Sequence, residues 1–232
     1  MTISDQQFLD VARPALETAD ARALADRVSR LWTPQEICPL LQHVRVDVRR
    51  VAAVTLGMVG DASVSNDLFE ALHDPDEQVN EMAEHALWSI WFRAGGHKAS
   101  RLFSHGVKLL GAERYESAIV FFQAAIKLDP TFAEAYNQCA VAHFFLAQWE
   151  QAIELSQRVI EYVPDHFGAL AGLGHCFAET GEFDQALKYY RTALQVNPRM
   201  QAIRAMICRL ESARLDDANE ASGDFLVDSM AW

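Results

Sequence analysis

A proline recurs at a constant interval of 34 residues in the second half of the chain, at Pro130, Pro164 and Pro198. An aromatic residue and an alanine keep the same interval; they are Tyr115, Trp149 and Phe183, and Ala118, Ala152 and Ala186. Proline cannot continue a helix and disfavours helical geometry in the residue before it, so each proline separates one repeat from the next. A repeat of this length and composition predicts a solenoid of helical hairpins.

Two further positions of the repeat carry small or branched residues. They are Gly106, Ala140 and Gly174, and then Ala125, Val159 and Ala193. Antiparallel helices approach closely only where a side chain is small, and we expect the aromatic residue near each turn to point inward and fill the space beside it. The turns contain Gly111, Ala147 and Gly181, and the first of them, LLGAERY, is expected to be longer than the others.

This pattern resembles the tetratricopeptide repeat family over about residues 99–200. The segments nearest to the family pattern are AEAYNQCA (133–140), WEQAI (149–153) and FDQAL (183–187), whereas the first repeat has Leu102 where an aromatic residue is commoner. The resemblance implies three repeats, at 99–132, 133–166 and 167–200, with a capping helix to residue 215. The expected fold is an all-α, right-handed α-solenoid, and the 97–215 domain is expected to bind other proteins.

The first half of the chain has a different interval of 31 residues. Three apolar residues at helical spacing are repeated after it: Val48, Ala52 and Leu56, then Val79, Ala83 and Leu87. They predict helices over 46–61 and 76–91, with shorter helices before them at about 35–43 and 64–72. The pattern resembles short bacterial HEAT-like repeats, which also occur in bilin-attaching lyase subunits, over about residues 34–92.

We therefore take residues 1–96 as a HEAT-like region, in which residues 1–33 form a divergent capping repeat. Only Phe92–Lys98 lies between the two arrays, and Gly95 and Gly96 are expected to end the preceding helix. So short a connection predicts that the arrays abut as one continuous curved body.

Charge, hydropathy and missing motifs argue against several other functions. The net charge of −12 argues against nucleic-acid binding. The chain has no apolar run of the roughly 20 residues that span a membrane, and its start lacks the features of a secretory signal, so a cytoplasmic location without membrane insertion is expected. Nucleotide-binding, zinc-protease and serine-hydrolase motifs are missing, which predicts no catalytic residue and no cofactor.

Neither histidine nor cysteine is spaced as in a metal site. The eight histidines are scattered, and the four cysteines lie far apart without a CxxC pair. We therefore predict no metal, and we expect Cys38, Cys139, Cys176 and Cys208 to be small buried hydrophobic residues. Three arginines, Arg45, Arg49 and Arg50, allow two interpretations: ion pairs with Asp47 or with acids of the next repeat, or contact with an acidic peptide or a phosphate.

In a stacked array the first helix of each hairpin lines the concave face. That face predicts a peptide-binding groove formed by Phe103, Val107, Leu110, Asn137, Val141, Phe144, Phe145, Ala171, His175 and Glu179. Lys and Asn pairs that clamp a C-terminal carboxylate in some tetratricopeptide proteins are not matched here, so an apolar helical or extended segment fits better. Alternatively, Phe144 and Phe145 pack against the N-terminal array or a neighbouring repeat.

The final residues, 216–232, form an acidic tail with an apolar patch. Such tails are commonly disordered and solvated, but exposed Phe225, Leu226 and Trp232 suggest docking in a groove of the same chain or of a second copy, and hence self-association. The main functional hypothesis is a non-catalytic adaptor or scaffold with a protein or peptide ligand. The alternative is an accessory subunit or assembly factor of an enzyme, similar to the HEAT-like partners of bilin lyases.

Overall fold

The computed structural model describes residues 3–18 and 20–227, and for Leu16 and residues 215–227 it describes the backbone alone. The helices of the N-terminal part are α1 (Asp5–Glu17), α2 (Ala21–Ser29), α3 (Pro34–Ile37), α4 (Val46–Val59), α5 (Ser65–Ala71) and α6 (Glu77–Arg93). Those of the C-terminal part are α7 (His97–Gly111), α8 (Tyr115–Leu128), α9 (Ala133–Phe145), α10 (Trp149–Tyr162), α11 (Phe167–Glu179), α12 (Phe183–Val196) and α13 (Gln201–Val227). Helices joined by turns and loops make up the described residues, with no strand among them, which confirms the all-α solenoid.

The three predicted hairpins are α7–α8, α9–α10 and α11–α12, and each packs on the next. The alanines expected between the helices, Ala118, Ala152 and Ala186, are all at most 1% exposed. Gly106 and Gly174 leave room for rings of the facing helix, because an added Cβ would lie 2.5 Å from the Phe122 ring and 2.3 Å from the Tyr190 ring. Rings from the middle of the second helix therefore fill these contacts, and the prediction that the turn aromatics point inward is wrong for Phe183, which is 42% exposed.

All three hairpin turns have the same length of three residues, at 112–114, 146–148 and 180–182. One residue in each turn takes the left-handed backbone conformation: Glu113 with φ 57°, Ala147 with φ 55° and Gly181 with φ 80°. These positions again keep the 34-residue interval. The longer first turn that we predicted is wrong, because Gly111 is the last residue of α7 and Glu113 makes the turn.

The N-terminal part has helices where the 31-residue interval predicts them. A short helical segment precedes α4 and another precedes α6, and the repeated apolar residues are all completely buried: Val48, Ala52, Leu56, Val79, Ala83 and Leu87. The α1–α2 hairpin packs on α4 at the end of this array. Its HEAT-like character stays a prediction.

The three N-terminal arginines are paired with carboxylates. Arg49 makes two hydrogen bonds to Asp74, of 2.7 and 3.0 Å, and Arg50 makes two to Asp76. Arg45 contacts Asp47 and Asp5. This arrangement matches ion pairing within and between the repeats, because the carboxylates already occupy the guanidinium donors that a phosphate would use.

The two arrays abut, and the N-terminal array also contacts residues beyond the first tetratricopeptide-like hairpin. The indole of Trp91 stacks on the imidazole of His166 with the ring centroids 4.0 Å apart. The guanidinium of Arg199 donates to the main-chain oxygen of Glu77 at 3.0 Å. Because His166 and Arg199 lie in the loops after the second and third hairpins, the N-terminal array lies along the edge that these loops form.

The last helix, α13, was predicted to end at about residue 215 and instead runs to Val227. It packs on α12 through the buried side chains of Ile203 and Ile207, and its opposite face is polar. Cys208 lies on that polar face and is exposed, so the prediction of burial is wrong for this cysteine and right for the other three. Phe225 and Leu226 belong to the part of α13 with only the backbone described, and Trp232 lies outside the described residues.

Candidate peptide-binding groove

An open groove of about 330 Å3 lies on the concave face between α9 and α11. Six of the ten predicted residues line it together: Asn137, Val141, Phe144, Phe145, Ala171 and His175. Further lining comes from five residues that the sequence interpretation missed, Ala140, Ser156, Gly168, Gly172 and Cys176. The wall is mainly apolar, and the described residues that form it include no Lys or Arg.

The other four predicted residues lie outside this groove. Phe103 is only 2% exposed, because the rings of Phe92 and Phe132 cover it at centroid distances of 5.3 and 4.8 Å. Val107 and Leu110 are half-buried against the core of the first hairpin. Glu179 is exposed at the end of α11 and does not reach the lining. The groove therefore belongs to the second and third repeats alone.

Two glycines on α11, Gly168 and Gly172, create the space for the groove. They are four residues apart, and this spacing in the sequence could have indicated a helix face without side chains. Gly168 and Gly172 lie on the face of α11 that also carries Ala171 and His175. This part of α11 therefore has almost no side-chain volume. An added Cβ at Gly168 would lie 2.6 Å from the ring of Trp88. The N-terminal array therefore covers the end of the groove beside Gly168.

Aromatic side chains form the opposite end of the groove. Phe145 is 57% exposed and stacks on Tyr115 of the first hairpin, with ring centroids 5.0 Å apart and an interplanar angle of 12°. Phe144 makes an edge contact with Trp149 at 5.1 Å. Both rings thus pack against neighbouring side chains of the repeats, and the ring of Phe145 keeps a large free surface.

Three polar side chains lie among these apolar groups, those of Asn137, Ser156 and His175. Asn137 is 4% exposed, and its Nδ2 donates to Oε1 of Glu134 at 3.1 Å. The imidazole Nδ1 of His175 lies 2.8 Å from the Tyr190 hydroxyl. Burial lowers the pKa of His175 below its ordinary value of 6.5, which keeps the ring neutral at neutral pH. The amide nitrogen of Asn137 is thus engaged within α9.

The thiol beside these groups is unreactive at neutral pH. Burial raises the pKa of Cys176 to about 11, so this side chain is a neutral thiol in the groove wall. Among the residues that the structure describes, no three His, Cys, Asp or Glu side chains are arranged to hold a metal ion.

A buried polar pair below the groove was not anticipated from the sequence. Glu134 Oε2 lies 2.9 Å from His166 Nε2, and both side chains are completely shielded from solvent. His166 stands at the residue before α11 and Glu134 in the first turn of α9, so the starts of two neighbouring helices bring them together. The two residues meet only when the two hairpins pack, so the local sequence around either one does not indicate the pair.

Stacked antiparallel helical hairpins with an open concave groove define a helical-repeat protein. Two family models, each described as a tetratricopeptide repeat, match residues 109–173 and 168–200. Tetratricopeptide repeat models thus match residues 109–200, as the 34-residue interval predicted. These matches do not extend to the N-terminal array, so its HEAT-like resemblance is not confirmed.

Similar curated proteins match about half of the chain. A TPR repeat-containing protein of Rhizobium etli is 27% identical over 125 residues, which cover 54% of this chain and 60% of the relative. The small glutamine-rich tetratricopeptide repeat-containing protein 2 of Saccharomyces cerevisiae is 32% identical over 117 residues, covering 50% of this chain and 34% of the relative. The chain thus spans less than two thirds of the length of either relative.

Solved structures share the fold at low sequence identity. The first TPR domain of human RPAP3 is 20% identical with a TM-score of 0.51, and the match covers 53% of this chain and 97% of that domain. The Sgt2 TPR domain of Aspergillus fumigatus is 18% identical with a TM-score of 0.51, covering 54% and 84%. A third structure, the first TPR of Spaghetti (RPAP3) bound to the HSP90 peptide SRMEEVD, is 19% identical with a TM-score of 0.50, covering 51% and 94%.

Proposed function

We propose that this protein is a non-catalytic adaptor that binds an apolar segment of a partner protein in the groove between α9 and α11. The observation that carries the proposal is the apolar concave surface next to Phe145, a large aromatic side chain that is 57% exposed. Exposed apolar surface of this kind commonly marks an interaction site. The peptide bound to the similar Spaghetti domain supports a peptide segment as the ligand.

The chemistry of the groove favours an apolar ligand over an acidic one. The HSP90 peptide SRMEEVD carries two glutamates and an aspartate, and carboxylates are usually bound through Lys or Arg. The described lining of this groove has neither residue. Apolar side chains are therefore the better match, held by burial against Val141, Phe144 and Phe145.

The proposal includes a cytoplasmic location. None of the helices in the described ranges combines the length and the apolar character needed to cross a lipid bilayer. None of the relatives reported above supports the alternative role as an accessory subunit of a bilin-attaching enzyme.

A peptide selection tests the proposed function. A random library displayed on phage is selected on the full chain, and the enriched peptides are synthesised for affinity measurement by fluorescence polarisation. We expect sequences that are rich in apolar and poor in acidic residues. Failure to enrich any peptide above a library-only control would refute the proposal.

Two matched variants then locate the site. Phe145→Ala removes an exposed ring from the groove, whereas Phe183→Ala removes an exposed ring, 42% accessible, that does not line it. We expect Phe145→Ala to weaken binding about tenfold, as loss of an aromatic contact of ~1.4 kcal/mol does, and Phe183→Ala to leave it unchanged. Equal affinities of both variants would place the site elsewhere.

Self-association through the C-terminal tail is a separate proposal. Its apolar residues, Phe225, Leu226 and Trp232, would bind the groove of the same chain or of a second copy. Deletion of residues 218–232 should then change the oligomeric state or increase access of a selected peptide to the groove. If the oligomeric state and the peptide affinity both stay the same, the tail has no such role.

A further inference from the structure

The floor of the groove is connected to a buried carboxylate. Glu134 is 1% exposed and receives three hydrogen bonds. Its Oε1 accepts from Asn137 Nδ2 at 3.1 Å and from Gln138 Nε2 at 2.6 Å, and its Oε2 accepts from His166 Nε2 at 2.9 Å. A carboxylate in such a site is stabilised by its donors, but it is also fixed and cannot turn to meet a ligand.

The proton positions in this cluster follow from the backbone. The N–H of Ala169 donates to Nδ1 of His166 at 3.1 Å, so Nδ1 is an acceptor and the ring proton is on Nε2. The imidazole Nε2–H therefore donates to Glu134, whose carboxylate oxygens accept from all three neighbours. The stacked indole of Trp91 covers the imidazole, so the N-terminal array holds the cluster in place.

This cluster determines how Asn137 faces the groove. Because a carboxylate only accepts hydrogen bonds, the Asn137 amide nitrogen must point to Glu134. Its carbonyl oxygen, Oδ1, then has no partner among the described residues, although Asn137 lines the groove. The free polar atom that Asn137 offers to a ligand is an acceptor.

His175 supplies the complementary donor on α11. The buried Tyr190 hydroxyl, whose pKa is raised to about 12 by burial, keeps its proton. It has no other acceptor within the described part of the chain, so it donates to Nδ1 of His175. The neutral ring therefore carries its own proton on Nε2. An acceptor on α9 and a donor on α11 match the N–H and C=O of a peptide main chain.

We propose that Glu134 is a specificity-determining and positioning residue that makes the groove select uncharged peptide main chain and reject carboxylates. This inference rests on the proposed function and names the chemistry of the ligand. A carboxylate placed beside Asn137 meets an acceptor oxygen, and the negative charge of Glu134 lies one hydrogen bond further away. The described lining has no Lys or Arg, and the His175 N–H on α11 is a neutral donor, so a carboxylate beside Asn137 loses hydration without gaining a charged partner.

The test uses the peptide of highest affinity from the library selection, made with an amidated C-terminus. Each of its positions is replaced in turn by Asp and by its neutral isostere Asn, and the ratio of the two dissociation constants is measured. For the wild-type chain we expect a ratio of at least about ten at one position or more, which corresponds to ~1.4 kcal/mol. The same peptide with a free C-terminal carboxylate is also measured, and its dissociation constant is compared with that of the amidated form.

Variants assign the discrimination to Glu134. In Glu134→Gln the new amide both donates and accepts, which frees Asn137 to turn, and the ratio should fall to about threefold or less. Glu154→Gln removes one exposed negative charge from α10 and should keep the wild-type ratio. Asn137→Ser removes the acceptor oxygen Oδ1 and should also lower the ratio, which gives an independent test if circular dichroism shows that Glu134→Gln does not fold.

The outcomes separate this inference from the proposed function. If no peptide binds the wild-type chain, the proposed function fails and the inference fails with it. If peptides bind but Asp and Asn analogues bind equally, the inference alone is wrong. If Glu134→Gln and Asn137→Ser both retain the wild-type ratio, the discrimination has another origin and Glu134 is not its determinant.

Discussion

Replacement of His166 by alanine should be among the most destabilising single changes in this chain. The side chain is completely buried and has three roles: its Nε2 donates to Glu134, its Nδ1 accepts the N–H of Ala169 at the start of α11, and its ring stacks on Trp91. Alanine removes all three contacts and leaves the buried carboxylate without one of its donors.

The magnitude follows from these contacts. Loss of a helix cap costs about 1 kcal/mol. A hydrogen bond to a buried charged group contributes about 1.5–3 kcal/mol, and the aromatic contact contributes about 0.5–1.5 kcal/mol. Loss of one partner from a buried pair typically costs about 3–5 kcal/mol. We therefore expect the free energy of unfolding to fall by about 3–5 kcal/mol in His166→Ala.

Urea denaturation followed by circular dichroism and tryptophan fluorescence measures this change. His85→Ala is the control, because the side chain of His85 is 76% exposed and contacts only Glu81, at 4.0 Å; its effect should stay within ~0.5 kcal/mol. His166→Asn can still cap α11 and should recover about 1 kcal/mol. A loss below ~1 kcal/mol in His166→Ala would show that the buried cluster does not stabilise the fold.

Three further changes test the packing and the groove. Gly174→Ala places a Cβ 2.3 Å from the buried ring of Tyr190 and should destabilise the protein by about 1–3 kcal/mol in thermal unfolding. In the control Gly111→Ala the added Cβ meets no atom within 4 Å and should not destabilise the protein. Equal melting temperatures of the two variants would contradict the close contact at Gly174. Ala147→Gly relieves a left-handed backbone with φ 55° and should stabilise by about 0.5–1 kcal/mol, so a lower melting temperature would be contrary to the turn geometry. Burial lowers the pKa of His175 below 6.5, so just below pH 6.5 the imidazole is protonated in the unfolded chain but not in the folded one. The contribution of His175 to the free energy of unfolding therefore falls as the pH drops through 6.5. An NMR titration of the imidazole in the folded protein with a midpoint at or above 6.5 would contradict this.

The sequence predicted the parts of the fold that depend on one repeat and its neighbour. The 34-residue interval located the hairpins, and the positions within a helix predicted that Val141 and His175 share a concave face. These properties follow from helical periodicity and need no knowledge of distant residues. The same reasoning was wrong for Phe103, because its ring is covered by Phe92 of the other array and by Phe132 of the loop before α9.

The buried cluster could not be predicted in the same way. Helical periodicity indicates the face on which Asn137 lies, but the orientation of its amide depends on Glu134. That carboxylate is buried because His166 and Trp91 cover it, and Trp91 belongs to the N-terminal array. The polar character of the groove is therefore a property of the assembled fold, and no local pattern encodes it.

The contact between the N-terminal array and the later loops also changes how the chain should respond to stress. In an open solenoid each repeat contacts only its neighbours, so the ends fray and repeats unfold one after another. Here Trp91 and Glu77 contact residues after the second and third hairpins. Loss of the second or third hairpin therefore also costs contacts with the N-terminal array, which favours one cooperative transition. A partner would meet a concave face of fixed curvature, and little conformational entropy would be lost on binding.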